Sequence, residues 1–275
     1  LLRANAQRDP LRVGLREKEF GVWRETTYDE YWDLVRTSGM ALRALGVEPG
    51  DKVAIQSENR LAWVVTDMAV QGIQAASVGL YSTNPSAEVE YLLKHSGSRV
   101  LIAEDQEQVD KALGVRERLP QLERIVYIEP RGVNMYDDPA LMAWDDFLEL
   151  GREQLAALPE EFDRLVDCIA IEETATIVYT TRTTGPPKGA MLSHRKQVWT
   201  DGEARSVNAG TGDMPDRAEL LSYLPLCHVF GRLYDLCYAT ATRATVNFAE
   251  SIDTVVSDLQ EIQPTYFPAP PRIWE

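Results

Sequence analysis

The sequence is short of cysteine, of histidine and of positive charge. Three cysteines, Cys168, Cys227 and Cys237, stand among 275 residues, and none falls in a C-x-x-C or other metal spacing. That excludes a disulfide framework and a structural zinc site, and it fits a reducing, cytoplasmic setting. Lys and Arg number 28 against 43 Asp and Glu, a net charge of −15. Nucleic acids and anionic membrane surfaces are held by basic side chains that neutralise phosphates, so no nucleic-acid partner is expected. A local basic site stays compatible with that balance. There is also no long hydrophobic run: Trp63 to Leu80, the most apolar stretch, is interrupted by Asp67, Gln71 and Gln74 and is too short and too polar to span a bilayer. The start, LLRANAQRDP, lacks both a Met and the charged-then-apolar pattern of a signal peptide.

What is present is a hydrophobic fraction of 44% in a chain near the length at which one core stops growing. Thr27 and Glu30 form a T-x-x-E capping box, and Tyr31, Leu34, Val35, Ser38, Leu42 and Leu45 follow on one helical face up to Gly46. KVAIQS (52–57), ASVGL (76–80), RVLIA (99–103) and RIVYI (124–128) read as strands. A helix opened by Asn59, a helix over Ser86 to Ser96 and a short acidic helix separate them. Strands alternating with helices mean a parallel sheet covered on both faces. Residues 129–170, rich in Pro, Gly and acidic side chains, read as a surface excursion with one short amphipathic piece near Trp144 to Leu150. The alternation resumes with strands ATIVYT (175–180), LLSYL (220–224), ATVNF (244–248) and TYF (265–267), with helices from about Gly231 and over Asp253 to Ile262. The expected fold is α/β and doubly wound, in two βαβ layers over approximately 1–170 and 171–275. Pro270 and Pro271 before RIWE resemble a first helical turn, which suggests a chain that continues.

Directly after ATIVYT stands TRTTGPPKGAMLSH, carrying Thr180, Thr181, Thr183 and Thr184, two glycines and Lys188. Glycine lets backbone N–H groups approach an anion, hydroxyls donate to its oxygens and a lysine supplies charge, so the segment suits a phosphate. The Walker spacing is absent, and Pro186 with Pro187 forbids the helix that follows an ordinary P-loop. The same composition also describes a plain Thr/Gly/Pro surface turn.

Tyr179 to His194, YTTRTTGPPKGAMLSH, resembles the phosphate-loop signature YTSGTTGxPKG of the adenylate-forming (AMP-binding) superfamily. LGVEPGDKVAIQSENRLAW (45–63), YSTNPSAEVEYLLKHSGSRVLIAED (81–105), YLPLCHVFGRLYD (223–235) and PTYFPAPPRIWE (264–275) are similar to its long-chain fatty acid:CoA ligase branch, in the expected order. The resemblance implies the N-terminal portion of such an enzyme's large domain, with the C-terminal part outside this sequence, so that the parent protein is expected to be the ligase and the isolated fragment to be inactive. It implies activation of a fatty acid by ATP and Mg2+, then transfer to coenzyme A. On it, Thr180, Thr181, Thr183, Thr184, Gly185 and Lys188 become triphosphate ligands, with Thr184 also on magnesium. Gly189 becomes a position of close backbone approach, and His228 a group beside the carboxylate and α-phosphate. An aryl or amino acid substrate, or a binding module without chemistry, are the alternative readings. Peripheral membrane association and a homo-oligomer stay open.

Two departures stand out, Arg182 where the family has glycine and Thr181 where it has serine. His95 reads as a surface residue at a helix end. His194 either orients the loop or begins the next helix. Cys227 and Cys237 read as small core residues, and Trp199 and Val229 to Tyr234 line either an acyl channel or only the core.

Overall fold

A computed structural model describes residues 1–180, 185–198 and 217–269. It divides into two compact units, one made of Leu1–Trp32, Val198–Leu224 and Phe230–Glu275, the other of Asp33–Gln197 and Pro225–Val229.

The second unit is built on a seven-stranded sheet. In chain order its strands are β3 (Lys52–Gln56), β4 (Ala76–Leu80), β5 (Val100–Ala103), β6 (Arg124–Tyr127), β7 (Leu141–Ala143), β8 (Thr174–Thr180) and β9 (Lys188–Ser193). Their spatial order is β7-β6-β5-β3-β4-β8-β9, all pairs parallel except β8 with β9. The strands from β3 to β6 are where the β-branched runs place them, and their near-complete burial is what a parallel sheet covered on both faces requires. Helices α3 (Leu61–Gly72), α4 (Ser86–Ser96) and α5 (Gln106–Leu113) are the crossovers. Asn59 does not cap α3, whose N-cap is Arg60. Its side chain is used elsewhere, as described below.

Residues 129–170 differ from the expected excursion. They add β7 to the sheet edge and then form α6 (Trp144–Ala157) and α7 (Glu161–Asp167), burying Phe147 and Phe162. The reason lies in glycines far away in sequence. A Cβ on Gly39 or Gly72 would stand 2.2 Å or 2.4 Å from the Phe162 ring, so the two glycines make the notch that the ring fills. The acidic surface of these helices concealed two buried aromatics.

The helix α2 (Tyr28–Ala44) begins in the first unit and ends in the second. It starts as expected, with the Thr27 N–H donating to Glu30 Oε2 at 2.8 Å and the Glu30 N–H to Thr27 Oγ1 at 3.3 Å. The chain leaves it through Gly46 at φ +84°, a conformation suited to glycine.

The first unit opens with α1 (Leu2–Arg8) and the hairpin β1 (Val13–Glu19) and β2 (Val22–Thr27). Later it adds β10 (Glu219–Ser222), α8 (Val229–Arg232), a π-helical turn over Leu233–Tyr238, α9 (Ala239–Thr242), β11 (Thr245–Phe248) and α10 (Val255–Ile262). Its sheet runs β10-β11-β1-β2, with β1 parallel to β11 and antiparallel to β2. The hairpin has no counterpart in the sequence reading, because the charges of VGLREKE and VWRETT mask its alternation. The expected strand at 265–267 reduces to one bridge, Tyr266 to Leu220. Among the described residues no helix is long and apolar enough to cross a membrane.

Candidate phosphate-binding site

β8 and β9 pair in antiparallel register, Thr180 opposite Lys188 and Tyr179 opposite Gly189. They form the two stems of the Thr/Gly/Pro segment. Since β8 also runs parallel to β4, Thr180 lies at the carboxyl edge of the sheet, the edge at which open α/β sheets bind ligands. Thr180, Lys188 and Gly185 are all exposed. Gly185 has φ +91° with nothing among the described residues within 4 Å of where a Cβ would stand, which leaves its backbone accessible to an anion on that side. Thr180 Oγ1 lies 3.5 Å from the Lys188 carbonyl. Thr181, Arg182, Thr183 and Thr184 lie outside the described residues, as does Trp199.

Strand pleating sorts these residues between faces. Residues opposite one another in register share a face, and residues two apart share a face. Thr180 and Lys188 therefore point the same way, together with Val178 and its register partner on β4, Gly79. Tyr179 and Gly189 point the other way, toward the cluster built from Val78, Leu80, Leu92, Leu93 and Ile177.

The face of Thr180 and Lys188 is also where the segment Pro225–Val229 docks. A Cβ on Gly79 would be 2.7 Å from Cys227 Cα, so only glycine admits the segment this close. Asn59 completes the attachment, its Oδ1 accepting the Leu226 N–H at 3.0 Å. The turn is closed by the His228 N–H donating to the Pro225 carbonyl at 2.9 Å. His228 is exposed and follows directly on the docked Cys227. Asn59 was read in the sequence only as a helix opener, and Gly79 was not singled out; the one signal was a polar residue and a glycine just past and within buried strands. Cys227 is buried, as expected of a small core residue, and Cys237 is half-buried.

Helix α4 braces the opposite face. Tyr91 Oη donates to the Pro187 carbonyl at 3.0 Å, and His95 Nδ1 lies 2.8 Å from Tyr179 Oη. Burial, followed by the neighbouring Tyr91, pushes the Tyr179 phenol up to about 12. His95, read from sequence as a surface residue, is exposed but bonded to the strand that leads into the loop. His194 begins a helical segment at 194–198. It follows the far end of β9, about 20 Å along the chain from Lys188 at 3.3 Å per residue, well away from that lysine. Burial lowers the His194 pKa.

These groups suit a polyphosphate: an exposed ammonium, an exposed hydroxyl and an unobstructed glycine backbone at the carboxyl edge of a parallel sheet. Among the described residues no group of three or more His, Cys, Asp or Glu could hold a metal ion. Magnesium bound with a nucleotide takes oxygens largely from phosphates and water, so the lack of such a cluster among the described residues does not bear on a nucleotide-borne ion.

The AMP-binding enzyme family model matches residues 2–275. The chain belongs to this family. It is 32% identical over its full length to the long-chain-fatty-acid–CoA ligase ACSBG2 of Rattus norvegicus and 31% identical over 92% of its length to the human ACSBG2, covering 41% and 37% of them. The chain thus spans about two fifths of the curated relatives it matches. Solved structures agree in fold. The anthranilate CoA ligase AuaEII in complex with anthranoyl-AMP has a TM-score of 0.79 at 24% identity, over 97% of this chain and 48% of that one. The N-terminal domain of FACL13 from Mycobacterium tuberculosis has a TM-score of 0.72 at 23% identity, over 99% and 62%.

In the first unit, Tyr234 of the π-helical turn packs on Phe230 and Tyr266 with ring centroids 4.7 and 5.6 Å apart. Phe230 and Tyr266 are partly exposed, so Val229 to Tyr234 is not simply core.

Proposed function

We propose that this chain carries the phosphate-binding part of a long-chain fatty acid:CoA ligase of the AMP-forming type. The observation that carries the proposal is the β8–β9 hairpin, which sets Thr180 and Lys188 on one face at the carboxyl edge of the sheet, the face on which the His228 segment docks. The likeness to ACSBG2 supports the choice of a fatty acid. In the reaction a carboxylate oxygen attacks the α-phosphorus of ATP, and the bond to the bridging oxygen breaks to release pyrophosphate. The coenzyme A sulfur then attacks the acyl carbonyl, giving up its proton, and AMP leaves.

The first step brings two anions together, so the protein's contribution is positioning and charge compensation. Lys188 supplies a point charge to the leaving phosphates, and the hydroxyls of Thr180, Thr181, Thr183 and Thr184 donate to their oxygens. The Gly185 backbone approaches the same oxygens, and Gly189 keeps β9 close to β8. When bound, Mg2+ neutralises further phosphate charge, with Thr184 assigned as its ligand. His228 donates a hydrogen bond to the carboxylate and α-phosphate. The setting is cytoplasmic, and the partners are small molecules.

The test, run on the full-length parent enzyme that contains this segment, is ATP–pyrophosphate exchange dependent on palmitate, with acyl-AMP followed by mass spectrometry and anthranilate as the competing substrate. Palmitate-dependent exchange that falls in Lys188→Ala supports the proposal. Exchange driven only by anthranilate, or none that depends on Lys188, refutes it.

A further inference from the structure

Tyr91 and His95 are four residues apart on α4, hence on one face of the helix, and their rings stack with centroids 5.4 Å apart and planes 26° apart. His95 meets the Tyr179 ring edge-on at 5.7 Å. Its Nδ1 bonds Tyr179 Oη at 2.8 Å, while Tyr91 Oη bonds the Pro187 carbonyl at 3.0 Å. Tyr179 immediately precedes Thr180 on the outgoing stem. Pro187 immediately precedes Lys188 on the returning one. One helical face therefore grips both stems, each at the residue next to a proposed phosphate ligand and from the side of the sheet opposite to those ligands.

We propose that Tyr91 and His95 are positioning residues that fix the span of the phosphate loop, holding Thr180 and Lys188 at the separation a polyphosphate requires. The inference rests on the function proposed above. Neither side chain reaches the ligand face, so both act through the backbone of β8 and β9. Gly189 lets this happen: a Cβ there would lie 2.8 Å from Ile177 Cγ2 and 3.3 Å from Tyr179 Cζ, displacing the phenol that His95 engages. The Tyr179 phenol, with its pKa pushed up to about 12, keeps its proton throughout the neutral range, so the contact persists there.

The test uses three variants, Tyr91→Phe, His95→Ala and His95→Asn, the last placing an amide where Nδ1 stands. Two quantities are measured on the 275-residue chain: amide hydrogen exchange over Gly185 to Ala190, with Val53 to Ile55 of β3 as internal reference, and the dissociation constants of MgATP and inorganic pyrophosphate. Tyr91→Phe and His95→Ala should speed exchange in the hairpin but not in β3. They should weaken MgATP about fivefold each, the worth of one ordinary hydrogen bond, while Tm falls by no more than about 2 °C. His95→Asn should restore both readings. Hairpin exchange unchanged from wild type, or His95→Asn as impaired as His95→Ala, overturns the clamp. A wild-type chain that binds neither MgATP nor pyrophosphate overturns the phosphate reading of the loop instead, and with it the purpose assigned to the clamp, whatever the exchange shows.

Discussion

Asp235 sits buried in the π-helical turn of the first unit, its Oδ2 accepting the Ser222 hydroxyl at 2.7 Å. Burial raises its carboxyl from the ordinary 3.8 to about 7, against the lowering effect of the Ser222 bond. The folded state therefore holds a proton on Asp235 at pH values where the unfolded chain has lost it. Between about pH 4 and pH 7 the folded state binds more protons, so stability falls as pH rises through that window and levels off above it. At 1.36 kcal/mol per pH unit the ceiling is roughly 4 kcal/mol, and relaxation around the charge reduces it to about 1 to 3 kcal/mol. Asp235→Asn keeps an acceptor for Ser222 and removes the charge. The variant should match the wild type near pH 4.5 and exceed it by about 1 to 3 kcal/mol at pH 8. Urea unfolding at pH 4.5, 6, 7 and 8, followed by circular dichroism, measures the difference. A difference that is the same at every pH, or a variant less stable at pH 8, would refute the assignment of a buried, protonatable acid.

Lys188→Ala should weaken MgATP binding by one to two powers of ten, the equivalent of about 1.5 to 3 kcal/mol for a charge-assisted contact, with calorimetry as the measure. Gly79→Ala puts a methyl 2.7 Å from Cys227 Cα and should displace Pro225–Val229, lowering palmitate-dependent exchange while MgATP affinity holds; unchanged exchange would sink the docking argument. Phe162→Ala should cost about 3 to 5 kcal/mol by emptying the notch of Gly39 and Gly72, read by chemical denaturation. Hydrogen bonds from Thr27, the backbone one first, hold the Glu30 carboxyl below its ordinary 4.5. Thr27→Ala should therefore lose about 1 kcal/mol at neutral pH, and the loss should shrink as pH falls through the lowered value of Glu30. Arg182→Gly, which restores the family's glycine, should raise ATP affinity roughly tenfold, about 1.4 kcal/mol; weaker binding would make Arg182 a phosphate ligand.

The strands β3 to β6 and β8 and the helices α2 to α4 were legible because parallel sheets write buried strands as apolar runs and crossovers as amphipathic ones. The outgoing stem of the loop was legible as a strand, whereas hydroxyls, glycine and lysine between Thr180 and Lys188 suit a phosphate and a plain turn alike, and only the resemblance to the family's signature favoured the phosphate. The β1–β2 hairpin was not legible, since β2 lies at the sheet edge and charged side chains interrupt the alternation of both strands. Phe162 was hidden because its partners, Gly39 and Gly72, offer only absence of bulk. Tyr91 and His95 were hidden for a different reason: each bonds a residue more than 80 positions away, and helical spacing alone says nothing about what a face meets.

The alternation along β9 constrains how this hairpin can vary over time. The segment between Thr180 and Lys188 can change in length without altering which way the stems face. A single insertion just after Lys188, within β9, cannot: with the rest of β9 held in register it moves the lysine by half a pleat period relative to β8 and turns it toward α4. Parity along the returning strand, more than the identity of any one loop residue, keeps the ammonium on the side of His228.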